Sequence, residues 1–398
     1  MAKKKRVYFD YAATAPLDKN VLKKMMPYLK DKYGNPSSIH KFGQEASEAI
    51  DEAREKVAKF LGCKLSEIIF TGSASESDNL AIRGVIKAIR RQKQAGEKIH
   101  VITSRVEHKA VLETLKDMER EGVRASYLPV GRDGIINLDD LKAEITPETD
   151  LISIMYANNE MGAVQPIKKI SQLVEKINKI EEHPIYFHTD AVQAAQWLNC
   201  NVNYLGVHLL TLSAHKIYGP KGVGLLYVKE GTPIASLIVG GKHEWGLRAG
   251  TENVAGIVGM GAAVSQITNY KLQITKMNKL RDKLVQGVLK SVQGSKVNGP
   301  KILEQRLPNI VNFSFSGVEG ESLVIALDQA GFAVSTGSAC TSQALLPSHV
   351  LLAMGLSELD SHSSLRVSLG KYTTLQEINQ FIKTLPRVVE RLRKISGR

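Results

Sequence analysis

The chain has 398 residues and a net charge of +13, and its 43% hydrophobic and 23% charged residues are ordinary for a soluble globular protein. No apolar run reaches the roughly 18 residues of a membrane span, and three scattered cysteines exclude a disulfide framework or a cysteine-rich metal cluster. The basic residues are spread along the chain without an aromatic-interleaved motif. The charge therefore permits attraction to RNA or to an acidic partner but predicts no dedicated nucleic-acid binding.

The N-terminal residues favour a cytoplasmic location and begin the folded part of the chain. Met1–Arg6 is basic, but the apolar stretch that follows is too short for a signal peptide. Val7–Asp10 is predicted as a short strand. Leu17–Leu29 and His40–Leu61 have the apolar spacing of amphipathic helices.

From residue 67 onward, strands alternate with helices. The predicted strands are 67–71, 100–104, 126–129, 151–155, 185–187, 207–212 and 224–228. One helix opens at Gly72 and runs to about Gln94, a second follows His108, and a third begins at Pro166. This alternation predicts an α/β fold with a mostly parallel sheet and right-handed crossovers.

After about Gly256 the pattern changes. Helices are predicted over 260–292, 320–330 and 375–395, and alternating strands over 310–315 and 365–369. Because the chain is longer than a single core usually supports, we predict two domains. A large domain spans 17–265, and a smaller α+β domain combines 1–16 with 266–398, since chain termini often lie close together.

Polar residues at the predicted strand ends are the candidate site, because ligand crevices of α/β folds lie at the carboxyl ends of strands. Ser73–Ser75 opens a helix and predicts either a phosphate site or a simple N-cap. Asp190, with Gln193 after it, could pair with a protonated pyridine nitrogen or cap a helix. His108 could stack on a flat ring and move protons, or be structural.

Lys216 ends the strand 207–212 and precedes a glycine-rich turn. Such a lysine can form a salt bridge, contact phosphate or form a Schiff base. Together with the phosphate nest, Asp190 and His108, it predicts a site for pyridoxal 5'-phosphate with Lys216 as the Schiff-base lysine.

The three cysteines have different surroundings. Cys63 and Cys200 are expected to be buried small hydrophobes. Cys340 lies in a small, polar, glycine-containing segment, Ser335–Ser342, which is typical of a mobile loop. A reactive thiolate is therefore predicted at Cys340.

Several segments resemble the cysteine desulfurases of the class V aminotransferase-like group, with the longer catalytic loop of the iron–sulfur and nitrogenase-type subgroup. The matching segments are 10–16, 34–38, 75–81, 107–111, 158–162, 213–222, 248–251 and 337–342. The resemblance implies the type I fold of pyridoxal-phosphate enzymes. It departs mildly at Ser75 and Thr336, where the family often has threonine and serine.

The resemblance also implies a role for each matching position, as follows. Lys216 would carry the cofactor. Its phosphate would be held by Ala74, Ser75, Ser213 and His215, and Thr251 would reach the phosphate of a neighbouring subunit. Asp190 would face the pyridine nitrogen, Gln193 would face the ring hydroxyl, and His108 would stack on the ring and assist proton transfer. Asn159 would contact cofactor or substrate, and Asn35 and Arg366 would hold the substrate carboxylate. Cys340 would take sulfur from L-cysteine as a persulfide while L-alanine leaves. No metal is implied, although Cys340 could transiently ligate an iron–sulfur cluster.

The implied partners are a second copy of the chain, with sites shared in a homodimer, and a sulfur-acceptor protein. An iron–sulfur scaffold, a tRNA-thiolation protein and a thiamine-pathway carrier all remain open as acceptors, because some relatives continue beyond this chain with a scaffold-docking tail. Three other functions also remain open at this point: a selenocysteine lyase, a class V transaminase, and a basic RNA- or scaffold-binding protein with a degenerate pocket. The last fits poorly with an intact set of Lys216, Asp190, Gln193 and His108.

Overall fold

A computed structural model describes residues 6–94, 96–181, 183–267, 270–302, 305–337 and 346–397. The strands are β1 Val7–Tyr8, β2 Ile68–Thr71, β3 His100–Ser104, β4 Arg124–Leu128, β5 Thr149–Ser153, β6 Tyr186–Asp190, β7 Leu209–Ser213, β8 Gly224–Val228, β9 Ser295–Asn298, β10 Ile310–Phe315, β11 Phe332–Ala333 and β12 Ser364–Ser368. The α-helices are α1 Lys19–Lys30, α2 Lys41–Leu61, α3 Ala74–Asn79, α4 Val85–Arg90, α5 Lys109–Arg120, α6 Leu138–Glu144, α7 Ile167–Asn178, α8 Val202–Leu205, α9 Val254–Val264, α10 Tyr270–Ser291, α11 Gly320–Ala330, α12 His349–Ala353, α13 Glu358–His362 and α14 Leu375–Ile395. Within these ranges, no helix is both long and apolar enough to cross a membrane.

A seven-stranded sheet in the order β2-β8-β7-β6-β5-β3-β4 is the centre of the fold. The strands from β3 to β7 pair in parallel, which confirms the predicted mostly parallel α/β sheet. β8 runs antiparallel to both β2 and β7. The short connection from β7 to β8 explains this direction, because a parallel return would need a crossover of a dozen or more residues.

Hydrophobic layers cover both faces of this sheet. Successive residues of a strand pack into different clusters. In β3, Ile102 packs into one cluster and Val101 into the other, and in β8, Leu225 packs into the first cluster and Leu226 into the second. This follows from the two-residue period of a strand. Because both faces are buried, polar residues within the strands, such as His188 and Thr211, find hydrogen-bond partners inside the protein. The candidate site forms at the strand ends.

The C-terminal part contains an antiparallel sheet, β12-β10-β9, on which α10 and α11 pack, and α14 packs against these two helices. The N-terminal segment joins it, since β1 pairs in parallel with β11 and Asp10 forms a bridge to Ser368. Phe9 packs edge-on against Phe381 of α14 with ring centroids 5.6 Å apart. The N-terminal segment therefore contacts the C-terminal part, and the division of the chain into two domains stays a prediction.

Two predicted helices have different boundaries. The helix from Gly72 includes a π-helical turn, Leu80–Gly84, and ends at Arg90. The helix predicted over 260–292 is wrong as one element, because α9 ends at Val264 and α10 begins at Tyr270. α9 is apolar nearly all round and rich in glycine. A Cβ on Gly261 would lie 2.8 Å from the Cβ of Ala53, so the glycine permits close packing on α2.

Candidate active site

A cavity of about 550 Å³ opens at the carboxyl ends of the parallel strands. It is lined by Ala12, Ala13, Thr14, Ser73, Ala74, Ser75, Asp78, His108, Met155, Ala157, Asn159, Asp190, Val192, Gln193, Ser213, His215, Lys216, Lys221, Gly222, Val223, Gly337 and Arg366. The predicted residues at the strand ends therefore meet in one place. The N-terminal segment and one strand of the C-terminal sheet complete the walls.

Lys216 ends a single 3-10 turn, Ala214–Lys216, that directly follows β7. Its Nζ donates to the carbonyl oxygens of Ala12 and Ala13, each at 2.7 Å. Gln193 Nε2 donates to the same Ala12 oxygen at 2.9 Å. The chain then turns sharply at Tyr218, whose φ is 65°. The lysine amine is therefore held over the cavity by backbone carbonyls of the N-terminal segment.

The start of α3 forms the polar end of the cavity. The Ser73 hydroxyl caps the helix by accepting from the Glu76 N–H at 3.1 Å, so the predicted N-cap is present. Ala74 and Ser75 occupy its first turn, where free N–H groups and the helix dipole favour an anion. Gly224 on the neighbouring β8 lies so close that a Cβ there would be 2.4 Å from the Ser73 carbonyl carbon. The backbone at this end is thus packed closely against the sheet.

Ser213 and His215 lie beside this helix start. Ser213 ends β7 and is 3% exposed. His215 Nδ1 lies 3.1 Å from the Thr14 hydroxyl. Burial lowers the pKa of His215 to about 4, and the charges of Lys216 and Lys221 act in the same direction. A neutral His215 therefore acts by hydrogen bonding, and nearby lysines supply the positive charge.

Asp190 and His108 both line the cavity and influence each other's titration. Asp190 ends β6, is 7% exposed, and its Oδ1 accepts from the Val192 N–H at 2.9 Å. Burial raises the pKa of Asp190, and the charges of His108 and Lys216 oppose that rise. His108 caps α5, its Nδ1 accepting from the Ala110 N–H at 3.1 Å. Burial lowers the pKa of His108, so at neutral pH its proton is on Nε2.

Arg366 of β12 closes the opposite side of the cavity. It is 2% exposed, and its Nη2 donates to Asp10 Oδ1 at 2.7 Å while Nη1 donates to the Asn159 carbonyl at 3.0 Å. Its Nε has no hydrogen-bond partner among the described residues. A buried guanidinium with unused donors at a cavity wall suits recognition of a carboxylate.

Two predicted site residues among those described do not line this cavity. Asn35 and Thr251 are exposed on the surface of the single chain. Cys340 lies outside the described residues, as does most of the segment Ser335–Ser342. Gly337, which lines the cavity, is the last described residue before it.

Sequence reasoning missed two groups of cavity residues. Ala12 and Ala13 lie in the segment 10–16, which we matched to a family without assigning its carbonyl oxygens a role. Asp78 lies in α3 and is 1% exposed, one turn beyond Ser75. A second buried acid, Glu107, packs near it and accepts from the Ser104 hydroxyl at 2.5 Å and the Met155 N–H at 2.9 Å. Burial raises the pKa of Glu107 to about 8.

The residues present fit pyridoxal 5'-phosphate. The cavity combines an amine on a strand end, a helix start with free N–H groups, a buried carboxylate and a half-buried imidazole. These groups match the aldehyde, phosphate, ring nitrogen and flat face of that cofactor. The close approach that Gly224 allows between β8 and the helix start is further evidence of a built cradle.

The fold and the cavity define a pyridoxal-phosphate enzyme with a large, mostly parallel sheet. The family Aminotransferase class-V matches residues 7–381, and the chain belongs to that family, whose cofactor is pyridoxal 5'-phosphate. The cysteine desulfurase IscS of Dictyoglomus turgidum is 50% identical over 394 residues, which are 99% of this chain and 97% of that protein. A cysteine desulfurase of Nostoc sp. is 45% identical over 98% of this chain and 94% of its own length.

Solved structures agree with these relatives. A NifS-like protein has a TM-score of 0.89 and 39% sequence identity, and the match covers 97% of this chain and 100% of that chain. The structure of SspA in complex with cysteine has a TM-score of 0.79 and 38% sequence identity, and the match covers 92% of this chain and 100% of that chain. These likenesses confirm the resemblance that the sequence predicted.

Proposed function

We propose that this protein is a cysteine desulfurase, which converts L-cysteine to L-alanine and passes the sulfur to an acceptor by way of Cys340. The observation that carries this proposal is the meeting of Lys216, Asp190 and Arg366 in one cavity whose wall includes Gly337. The similarity to proteins named cysteine desulfurase over nearly the full length supports the same reading.

Bound pyridoxal phosphate supplies an aldehyde for covalent attachment and a ring that accepts electrons from the substrate Cα. Lys216 would hold the aldehyde. Ser73–Ser75, Ser213 and His215 would hold the phosphate, Asp190 would pair with the ring nitrogen, and Gln193 would contact the ring hydroxyl. Neutral His108 would cover the ring face.

The substrate is bound by its carboxylate and activated by proton transfer. Arg366 donates to the carboxylate, and Asn159 and the more distant Asn35 complete the pocket. The Lys216 amine lies in the same cavity and would take a proton from the substrate Cα. The imidazole ring of His108 lies in the same cavity and assists proton transfer near neutral pH.

Sulfur leaves by a balanced transfer to Cys340. The Cys340 thiolate attacks the substrate sulfur and forms a new S–S bond, and the substrate Cβ–S bond breaks. Its electron pair stays with the substrate, whose Cβ takes a proton and becomes the methyl group of alanine. Cys340 retains the sulfur as a persulfide until an acceptor thiol removes it. The transfer is complete only when an acceptor thiol reaches the outer sulfur of this persulfide.

Incubation of the purified protein with L-cysteine tests this proposal. Alanine and protein-bound sulfur should appear together, and Cys340→Ser should abolish the bound sulfur. Cys63→Ser is the matched control, because burial raises the pKa of Cys63 to about 12 and keeps it a thiol. Alanine from selenocysteine alone would overturn the proposal in favour of a selenocysteine lyase, and persulfide surviving in Cys340→Ser would remove Cys340 from the mechanism.

The cofactor assignment has its own test. Lys216→Ala should lose the absorbance of covalently held cofactor and release the cofactor on dialysis. Lys221→Ala changes a second lysine in the wall of the same cavity and should keep the covalent absorbance. Retention of borohydride-reducible cofactor in Lys216→Ala would contradict the assignment.

The homodimer and the acceptor belong to the same proposal. Tyr33, Ile39, Phe42 and Trp245 expose 74%, 93%, 53% and 59% of their surface near Asn35 in the single chain. We infer that a second copy covers this face and brings its own Thr251 toward the cavity. Light scattering should find a dimer, and Thr251→Ala should weaken cofactor retention.

The acceptor and the location stay predictions from the sequence. If the charge of +13 recruits an acidic acceptor, added salt should reduce the stimulation of desulfuration by that acceptor. Stimulation that is unchanged by salt would contradict that idea. A cytoplasmic location is the simplest expectation from the sequence.

A further inference from the structure

Asp78 is a buried acid in the cavity wall to which the reaction gives no role. It lies in α3, is 1% exposed, and neither carboxyl oxygen has a hydrogen-bond partner of ordinary geometry among the described residues. Nearest to it are His188, whose Nε2 lies 3.7 Å from Oδ1, and the Thr211 hydroxyl. An unpaired carboxylate in such a place costs several kcal/mol, whereas a protonated carboxyl costs far less.

The groups behind Asp78 form an ordered row. His188 and Asp190 are two residues apart on β6 and so face the same side, and Thr211 pairs with Asp190 across the sheet. The His188 Nε2 lies 3.1 Å from the Thr211 hydroxyl, and its Nδ1 lies 2.9 Å from the Ser153 hydroxyl. Burial lowers the pKa of His188 to about 3, so this histidine is neutral.

The direction of this row depends on where the Asp78 proton lies, because a neutral His188 can serve in either tautomer. With the proton on Asp78, its carboxyl donates to the Thr211 oxygen, the Thr211 hydroxyl donates to His188 Nε2, and His188 Nδ1–H donates to Ser153. With Asp78 ionised the row reverses, and among the described residues the Thr211 hydroxyl is the one hydrogen-bond donor that acts on the carboxylate. A carboxyl that is 1% exposed and has one such donor is buried at far lower cost as the neutral acid, which favours the direction in which Asp78 donates.

The charges around Asp78 agree with this direction. Asp190 and Glu107 are the other buried acids that act on it, and His188 supplies no positive charge. Burial raises the pKa of Asp78 well above its usual value, and the Asp190 charge raises it further. Asp190 has the Val192 N–H and the charge of Lys216 on its side. Of the two neighbouring acids, Asp190 is therefore the one that ionises.

We propose that Asp78 is a positioning residue that carries a proton, donates it in a hydrogen bond toward Thr211, and so leaves Asp190 as the single negative charge beneath the cofactor ring. Asp78 acts through Asp190 and does not itself exchange protons with the substrate. This inference rests on the proposed use of pyridoxal phosphate and adds the layer of residues that fixes where the charge lies.

Substitutions that separate a donor from a charge test this role. Asp78→Asn keeps the shape and supplies an N–H donor, whereas Asp78→Leu supplies none. We expect Asp78→Leu to weaken cofactor binding about 10-fold through the lost hydrogen bond, and Asp78→Asn to restore it to within about 3-fold of the wild type. Asp190→Asn should be at least 100-fold worse, because it removes the charge. The readouts are cofactor affinity and the pH dependence of the bound cofactor's absorbance.

A second test uses the apoprotein and so does not depend on desulfurase activity. Unfolded Asp78 ionises near pH ~3.9, whereas folded Asp78 keeps its proton to higher pH. Stability is therefore lost as the pH rises above ~4 toward the folded pKa. Asp78→Asn removes that loss, so its unfolding temperature should exceed that of the wild type by roughly 2 °C or more at pH 8 and match it near pH 4.

Glu107→Gln is the matched control, a buried acid with a raised pKa outside the cavity lining. It should change the pH dependence of unfolding in the same direction and leave the cofactor absorbance as it is. The proposal is overturned if Asp78→Asn is as damaging to cofactor binding as Asp190→Asn, or if its apoprotein is less stable than the wild type at pH 8. Both results would make Asp78 an anion. A protein that binds the cofactor but lacks desulfurase activity would contradict the proposed function alone.

Discussion

Arg366 and Asp10 form an ion pair, 2.7 Å from Nη2 to Oδ1, that joins the C-terminal sheet to the N-terminal segment at the edge of the cavity. The guanidinium is 2% exposed and also donates to the Asn159 carbonyl. Asp10 therefore fixes the orientation of Arg366 while leaving donors for another carboxylate. Residues far apart in the sequence thus build one wall of the site.

Arg366→Lys should raise the KM for cysteine by about 10-fold or more while covalently held cofactor remains. A single ammonium cannot serve Asp10, Asn159 and a substrate carboxylate together, because it lacks the planar fork of arginine. Steady-state alanine formation over a range of cysteine concentrations measures this. Arg54→Lys is the control, since Arg54 forms a buried double contact with Glu244 away from the cavity. It should lower the unfolding temperature and leave KM alone, and equal effects on KM would contradict the role of Arg366.

The part of the site on the parallel strands could be predicted from the sequence. Asp190 and Ser213 end apolar strands, and His108 and Lys216 come shortly after such strands. Because parallel strands place all their carboxyl ends at one edge, these residues had to be neighbours. Their meeting in one cavity needed only the alternation of strands and helices.

The remaining walls depend on contacts that local pattern does not encode. The Ala12 and Ala13 carbonyls reach Lys216 because β1 pairs with β11, which lies more than three hundred residues later. Asp78 reads as a polar residue within a helix, and only the packing of α3 on the sheet turns it inward. The antiparallel direction of β8 follows from its short connection to β7, which the alternation of strands and helices alone does not indicate.

His108→Gln should slow alanine formation by about 10- to 100-fold and leave cofactor retention near that of the wild type. Burial holds the pKa of His108 below its usual value, and the charge of Asp190 opposes this. The imidazole therefore becomes protonated only below pH ~6.5. In the wild type, kcat should therefore fall as the pH decreases below that value, which is the acid limb of the pH profile. The His108→Gln variant should lack this acid limb.

The matched control for this prediction is His100→Gln. His100 is buried between Thr149 and Ser126 outside the cavity, and burial lowers its pKa to about 4. This variant should be less stable but keep the pH profile of the wild type. A pH profile that is the same in His108→Gln and the wild type would contradict the assignment of the acid limb.

The ion pair between the buried Asp18 and the half-buried Lys371 contributes to stability at acid pH. The Asp18 carboxylate accepts from Lys371 Nζ, the Tyr372 hydroxyl, Gln266 Nε2 and the Asn20 N–H. Burial works to raise the pKa of Asp18, but these hydrogen bonds hold it well below its usual value. The folded pKa is depressed, so the stabilisation is complete above the unfolded pKa of ~3.9 and is lost as the pH falls toward the folded value.

Asp18→Asn should therefore lower the free energy of unfolding by about 1–3 kcal/mol at pH 7, the usual loss for hydrogen bonds to a charged group. The deficit should narrow below pH ~4. Urea unfolding at pH 7 and pH 3.5 measures both values. Glu175→Gln breaks an exposed pair with Lys179 and should leave stability nearly unchanged. A deficit in Asp18→Asn that grows on acidification would contradict the sign of the effect.

Gly337→Ala should slow persulfide formation about 5- to 10-fold while cofactor retention is unchanged. Gly337 has φ of +98°, and a Cβ on it would lie 3.0 Å from Glu160 Oε2. Glu160 has little freedom to move, because the same oxygen accepts from the Ser348 hydroxyl at 2.6 Å. The new side chain therefore adds both backbone strain and a steric contact at the cavity wall, where the chain leads toward Cys340.

Gly355→Ala separates these two effects, since Gly355 has φ of +81° but open space around its Cβ position. Rapid-quench measurement of bound sulfur should find Gly355→Ala close to the wild type in rate. Equal slowing in both variants would show that backbone strain alone, and not the contact with Glu160, limits the transfer.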